Sequence, residues 1–287
     1  MFNKILVPLD GSKLAEQVLP YAQMLAGACS ASVTLLRVTE PDARMPFTAN
    51  QSASDYLKYT ASNLKPVTVD TMEKIGKPAE VIVDFAKADA GCLIVMATHG
   101  VTGPRRWLLG SVASKVVQTA VNPILLIRAT EDAARLGPFA LRRVIVPLDG
   151  SGLAERVLPY ARMLASKLNL DMQLVRTYSL PADAYVVADG VIAQGPAQYR
   201  QTLHAECEQY LDGKVESLRA DGFSTVSATV IEGDAASEIV DLAAGPPQSL
   251  IAMSTHGRSG VGRWVLGSVA ERVVQHSLSP VLLIRAG

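Results

Sequence analysis

Val7-Pro-Leu-Asp-Gly-Ser12 returns unchanged as Val146-Pro-Leu-Asp-Gly-Ser151, 139 residues further along the chain. From Val7 to Ala26, 17 of 20 positions match the second copy. Thr98-His-Gly100 returns as Thr255-His-Gly257 at an offset of 157, and 22 of 36 positions from Ile94 to Ala129 match Ile251 to Ala286. The offset grows by 18 residues between Val38 and Glu73, so the second copy carries an insertion inside a repeated plan. Each copy is long enough for a complete domain, which implies a duplicated fold rather than a short-period solenoid. The boundaries read as 1–130 for the first domain, 131–141 for a linker holding one Gly-Pro, and 142–287 for the second.

Within one copy, Lys4 to Leu9 is a short apolar run ending at Asp-Gly-Ser, the pattern of a buried strand and a turn. Ser12 is placed to cap a helix whose apolar residues, Leu14, Ala15, Val18, Leu19, Ala22, Leu25 and Ala26, recur at helical spacing. Pro20 and its counterpart Pro159 fall inside that helix, so a kink is expected there. Strands follow at Ser32–Thr39, Val67–Ile75, Cys92–Ala97 and Pro123–Arg128, separated by helices at Ser52–Leu64, Lys77–Asp89 and Ser111–Ala120. In the second copy the helix before the third strand is longer, from about Pro196 to Ala220. Strands alternating with helices predict an α/β protein of two doubly wound domains, each a five-stranded parallel sheet with helices on both faces. Ligands of such sheets sit beyond the carboxyl ends of the strands, here at Asp10 and at Thr98-His99.

Composition narrows the function. The 287 residues carry 27 basic and 27 acidic side chains, a balance that lacks the surplus of a general nucleic-acid binder. No run of about 18 apolar residues predicts a membrane span. The amino-terminal run to Asp10 is too short for a secretory signal, so a cytoplasmic protein is expected. Cys29, Cys92 and Cys207 are widely spaced and form no CxxC or zinc pattern. They read as buried free thiols, with no metal site.

The loop after the fourth strand carries the candidate chemistry. It runs Met96-Ala-Thr-His-Gly100-Val-Thr-Gly103 to Leu109-Gly110-Ser111-Val112, and Met253-Ser-Thr-His-Gly257-Arg-Ser-Gly260 to Leu266-Gly267-Ser268-Val269. A glycine-bearing loop leading into a helix amino terminus offers unpaired N–H groups to an anion such as phosphate. Arg105 and Arg106, or Arg258 and Arg263, can add charge. Ser268-Val-Ala-Glu271 is equally a capping box that needs no ligand, and the loop by itself fits both readings. Asp10 and Asp149 can accept from a ribose or an adenine amine, or can simply open the Asp-Gly-Ser turn. Trp107 and Trp264 read as packing against the sheet. No P-loop and no GxGxxG is present.

In combination these stretches resemble the universal stress protein family in its tandem two-domain form, once per copy. The resemblance implies a Rossmann-like fold of the adenine nucleotide alpha hydrolase type, with the closing strands at the sheet edges pairing the two halves as an internal pseudo-dimer. A further homodimer and an unidentified protein partner are left open. The ATP-binding branch of that family carries a glycine, two residues, a glycine, nine residues and then Gly-Ser; Gly100 to Gly110-Ser111 and Gly257 to Gly267-Ser268 match, while Ala97 and Ser254 replace the first glycine. By resemblance the adenine lies near Pro8, Leu9, Asp10, Val38 and Met96, and near Pro147, Leu148, Asp149, Thr177 and Met253. The phosphates lie at Gly100, Gly103, Gly110, Ser111 and Val112, and at Gly257, Gly260, Gly267, Ser268 and Val269. The second copy is the favoured site because Arg258 and Gly262 are added there.

The leading expectation is a nucleotide-binding regulatory protein of stress adaptation that holds ATP, with or without magnesium. One alternative is a slow ATP hydrolase using His99 or His256, although a loop-stabilising hydrogen bond is the preferred role of these histidines. Another is a nucleotide-free scaffold or small-molecule-binding stress protein, favoured by the absent first glycines.

Overall fold

A computed structural model describes residues 2–41, 52–99, 109–129, 141–180, 196–245, 248–256 and 266–285. The first half contains strands β1 (Lys4–Pro8), β2 (Ser32–Thr39), β3 (Val69–Ile75), β4 (Cys92–Ala97) and β5 (Ile124–Ile127). Its helices are α1 (Lys13–Glu16), α2 (Leu19–Cys29), α3 (Ala53–Ser62), α4 (Pro78–Lys87) and α5 (Ser111–Thr119). The second half repeats the plan with β6 (Arg143–Pro147), β7 (Asp171–Tyr178), β8 (Val226–Glu232), β9 (Ser249–Ser254) and β10 (Val281–Ile284). Its helices are α6 (Gly152–Glu155), α7 (Leu158–Leu168), α8 (Pro196–Ala220), α9 (Ala235–Ala244) and α10 (Ser268–His276).

All ten strands form one sheet in the order β3-β2-β1-β4-β5-β10-β9-β6-β7-β8. Each half is parallel, and the order reverses between β1 and β4 and between β6 and β9, where a crevice opens at the strand ends. The closing strands pair antiparallel, Leu125 opposite Leu282. As expected, the edge strands of the two halves pair with each other at the centre of the sheet, which removes the bare apolar edge each half would otherwise present. The outer edges are β3 and β8, whose exposed positions are mostly polar, Asp70 and Glu73 among them.

Both faces of the sheet are apolar, as parallel sheets require. Ile5, Val7, Leu35 and Val95 pack with Leu25 of α2 and Leu57 of α3, and this core continues across the halves to Leu164 and Leu211. Phe2 stacks on Tyr160 at 5.9 Å between ring centres, tying the halves together on that face. On the other face Leu6, Leu36 and Ile94 pack with Ile82 of α4 and Val116 of α5.

The expected kinked helix after β1 is instead two helices. Val18 ends the first turn and opens α2, so Pro20 falls in the first turn, where its missing N–H has no partner to lose. Pro159 acts in the same way at the start of α7. Cys92 and Cys207 are buried free thiols, while Cys29 is only half-buried. No helix among the described residues is long and apolar enough to cross a membrane.

Candidate functional site

A cleft of about 870 Å³, open mouth included, lies at the strand ends of the second half. Pro147, Leu148 and Asp149 reach it from the end of β6, Val175 and Thr177 from β7, and Met253, Ser254, Thr255 and His256 from β9. Gly267, Ser268, Val269 and Ala270 close it from the start of α10, and Ala235 and Ile239 from α9. The space enclosed by its walls is about 280 Å³, at the lower end of small-molecule sites. The expected residues Pro147, Leu148, Asp149, Thr177, Met253, Gly267, Ser268 and Val269 thus line one cavity. In the first half Pro8, Leu9, Asp10, Val38, Met96, Gly110, Ser111 and Val112 occupy the equivalent places on β1, β2, β4 and α5. Gly100, Gly103, Gly257 and Gly260 lie outside the described residues, as do Arg105, Arg106, Arg258, Arg263, Gly262, Trp107 and Trp264.

Asp149 holds the turn at the cleft floor. Its Oδ1 accepts from the Ser151 N–H at 2.9 Å and from the Ser151 hydroxyl at 2.6 Å. Ser151 Oγ in turn accepts from the Ala154 N–H at 3.1 Å, capping α6. Asp10 and Ser12 repeat these contacts in the first half. The turn reading of the two aspartates is therefore real, and it fixes a carboxylate at the cleft. Gly11 and Gly150 have φ of 88°, a conformation that side chains rarely adopt, so glycine is required in this turn.

The capping-box reading of Ser268 is corrected. The N-cap of α10 is Gly267, Ser268 is the first helical residue, and no side-chain cap bond is made. Glu271 instead donates its N–H to the Gly267 carbonyl at 2.9 Å as part of the helix itself. α5 likewise starts at Gly110 without a side-chain cap. By contrast Ser12, Ser52, Ser151 and Asp234 cap α1, α3, α6 and α9 with their side chains. Amino-terminal amides of α5 and α10 are thus left for another acceptor.

Close approach favours glycine at these caps. A Cβ on Gly110 would stand 3.0 Å from the Thr98 carbonyl oxygen, and one on Gly267 would stand 3.1 Å from that of Thr255. The same carbonyls accept the glycine N–H groups at 2.8 and 2.9 Å. Ala97 and Ser254, which replace the first glycine of the pattern, are the last residues of β4 and β9, and the only non-glycine residues with positive φ among those described are Ser30 and Asn169. Nothing in the backbone at Ala97 or Ser254 demands glycine.

His99 Nδ1 lies 3.0 Å from the Thr98 hydroxyl and His256 Nδ1 lies 3.1 Å from that of Thr255. Both Nε2 atoms are buried without a hydrogen-bond partner. Beside the cleft, Asp234 bonds Arg272 of α10 at 2.8 Å, and that guanidinium, with the Ser237 contacts, holds the Asp234 carboxyl at about 2, below its usual 3.8. This pairing offsets the negative charge that Asp234 brings beside the cleft. Ala235 and Ile239 were missed in the sequence because small and aliphatic side chains in a helix carry no chemical signature.

The universal stress protein family profile matches residues 1–128 and again 140–285. A universal stress protein of Mycobacterium tuberculosis is 24% identical over 98% of this chain and 96% of its own length. Universal stress protein YxiE of Bacillus subtilis is 30% identical over 45% of this chain and all (100%) of its own length. Among solved structures, a universal stress protein from Archaeoglobus fulgidus superposes over 99% of both chains with a TM-score of 0.66 at 20% identity, a likeness of fold.

Proposed function

This chain belongs to the universal stress protein family, twice over, and on that premise we propose that it is an ATP-binding regulatory protein of stress adaptation. The domains run 1–130 and 142–287, joined by the linker 131–141. The observation that carries the reading is the pair of helices, α5 and α10, that begin at close-packed glycines with no capping side chain. Their free amides and positive dipole ends suit the phosphates of a nucleotide. Ser268 and Val269 would face those phosphates, while Pro147, Leu148, Val175 and Met253 supply apolar walls for the base. Asp149 would accept from the adenine amine or a ribose hydroxyl. In the first half Asp10 would accept in the same way, with Pro8, Leu9, Val38 and Met96 as the apolar walls, and magnesium would enter as the nucleotide's own counter-ion.

A second reading, slow ATP hydrolysis, is favoured by one observation: His256 lines the cleft with its buried Nε2 unpartnered. The test is to heat-denature the freshly purified protein and resolve the supernatant by anion exchange. Adenine nucleotide at about one or two per chain is expected. ATP converting to ADP over hours would install the hydrolase instead. A blank supernatant together with no heat on titrating ATP would overturn both.

A further inference from the structure

Resting on the nucleotide reading above, we infer that Arg128 and Arg285 are positioning residues acting crosswise, each holding the phosphate-binding helix of the opposite half. Arg285 follows β10, yet its Nη1 donates to the carbonyl of Ala120 at 2.8 Å, the residue that ends α5 in the first half. Arg128 follows β5, and its Nη1 donates to the carbonyl of Gln275 at 2.9 Å, in the last turn of α10 in the second half. A helix carboxyl terminus carries unsatisfied carbonyls and a partial negative charge, so a guanidinium there anchors the helix along its axis. The same axis carries the glycine cap and the amides that face the cleft. α5 has no basic residue in its last turn, so the charge at that end comes from the other half. α10 has His276 of its own.

The residues next to these arginines close the circuit. Ile127 accepts from the Thr98 N–H at 2.9 Å, and Thr98 accepts from the Gly110 N–H at 2.8 Å. Ile284 accepts from the Thr255 N–H at 2.9 Å, and Thr255 accepts from the Gly267 N–H at 2.9 Å. One strand end, Ile127-Arg128, therefore ties the loop of its own pocket to the helix of the other, and Ile284-Arg285 does the reverse. Thr98 and Thr255 are both buried, so the ties run through packed protein.

The experiment uses full-length chains in which one pocket is closed by Ser111→Glu or Ser268→Glu, each titrated with ATP by calorimetry. In the Ser268→Glu chain, Arg285→Ala is expected to raise the Kd of the remaining first pocket about three- to tenfold. In the Ser111→Glu chain it should leave the second pocket unchanged. Arg128→Ala should show the mirror pattern. Arg285→Lys, which keeps a donor and a charge, should restore most of the affinity. Loss confined to the arginine's own half, equal loss in both pockets, or no loss would overturn the assignment. Should neither single-pocket parent bind ATP, the nucleotide reading fails on its own. Hydrogen exchange then decides the latch: faster exchange of the last-turn amides of α5, and not of α10, in Arg285→Ala supports it, and unchanged α5 exchange refutes it.

Discussion

At the start of α4, Lys77 occupies the N-cap without a capping bond, and Lys115 of α5 reaches Glu80 at 3.2 Å. At the matching place in the second half, Asp234 caps α9 through its side chain and Arg272 of α10 reaches it at 2.8 Å. Each half ties the same two helices together near their amino-terminal ends, with the carboxylate moved from inside the helix to its cap. The insertion follows the same rule. α3 spans 10 residues and α8 spans 25, yet each lays a tyrosine on the arginine of the neighbouring strand, Tyr56 on Arg37 at 5.6 Å and Tyr210 on Arg176 at 4.7 Å. Each also buries one leucine completely, Leu57 and Leu211. The halves conserve what contacts the sheet and vary what reaches it.

Three sets of variants would break or sharpen that equivalence. The largest effect is expected from a carboxylate at the amino-terminal amides of α5 and α10, where the proposed function puts the phosphates. A charge about 4 Å from a phosphate costs roughly 4 kcal/mol at an effective dielectric of 20, so Ser111→Glu and Ser268→Glu should each remove one bound nucleotide. The double variant should weaken binding by about a hundredfold or more in calorimetry. Both should keep wild-type thermal stability, because an acidic side chain suits a helix amino terminus. Two ATP still bound to either single variant would separate the pockets from these helices.

Next, Leu57→Ala and Leu211→Ala should each cost about 2–5 kcal/mol in urea unfolding, as truncation of fully buried leucines does. Similar losses would confirm that a short and a long helix do the same work; a mild loss at Leu57 alone would show that the insertion has moved the core.

The smallest effect concerns the caps. Asp234→Ala should cost about 0.5–2 kcal/mol, whereas Lys77→Ala should stay within about 0.5 kcal/mol. The pH dependence has a fixed sign. The Asp234 carboxyl is lowered to about 2 from 3.8, first by its bond to Arg272, so the stability it adds is present above about pH 4 and fades as pH falls through about 2. The group is largely exposed, so salt should weaken this limb. An acid limb unchanged in Asp234→Asn would discard the pairing as a stabilising contact.

Much of the fold was legible because duplication and alternation are properties of residue order. The strand ends, the Asp-Gly-Ser turn and the glycine-to-serine helix starts were all readable, and the structure brings the second-half set around one cleft. The misreadings share a cause. Ser268-Val-Ala-Glu271 matches a capping box, but the helix begins one residue earlier because Gly267 is drawn against the Thr255 carbonyl. Pro20 looked like a kink because residue order does not mark the break at Val18 that puts Pro20 in the first turn of α2.

Residue order alone settled the twofold repeat and the α/β alternation, since both are periodicities along the chain. Packing decided the rest: that the last strands meet at Leu125 and Leu282, that Ala235 and Ile239 wall the cleft, and that an arginine of one half ends a helix of the other. The first and last of those contacts join residues more than a hundred positions apart, and a guanidinium carries no mark in the sequence of which distant carbonyl it will satisfy.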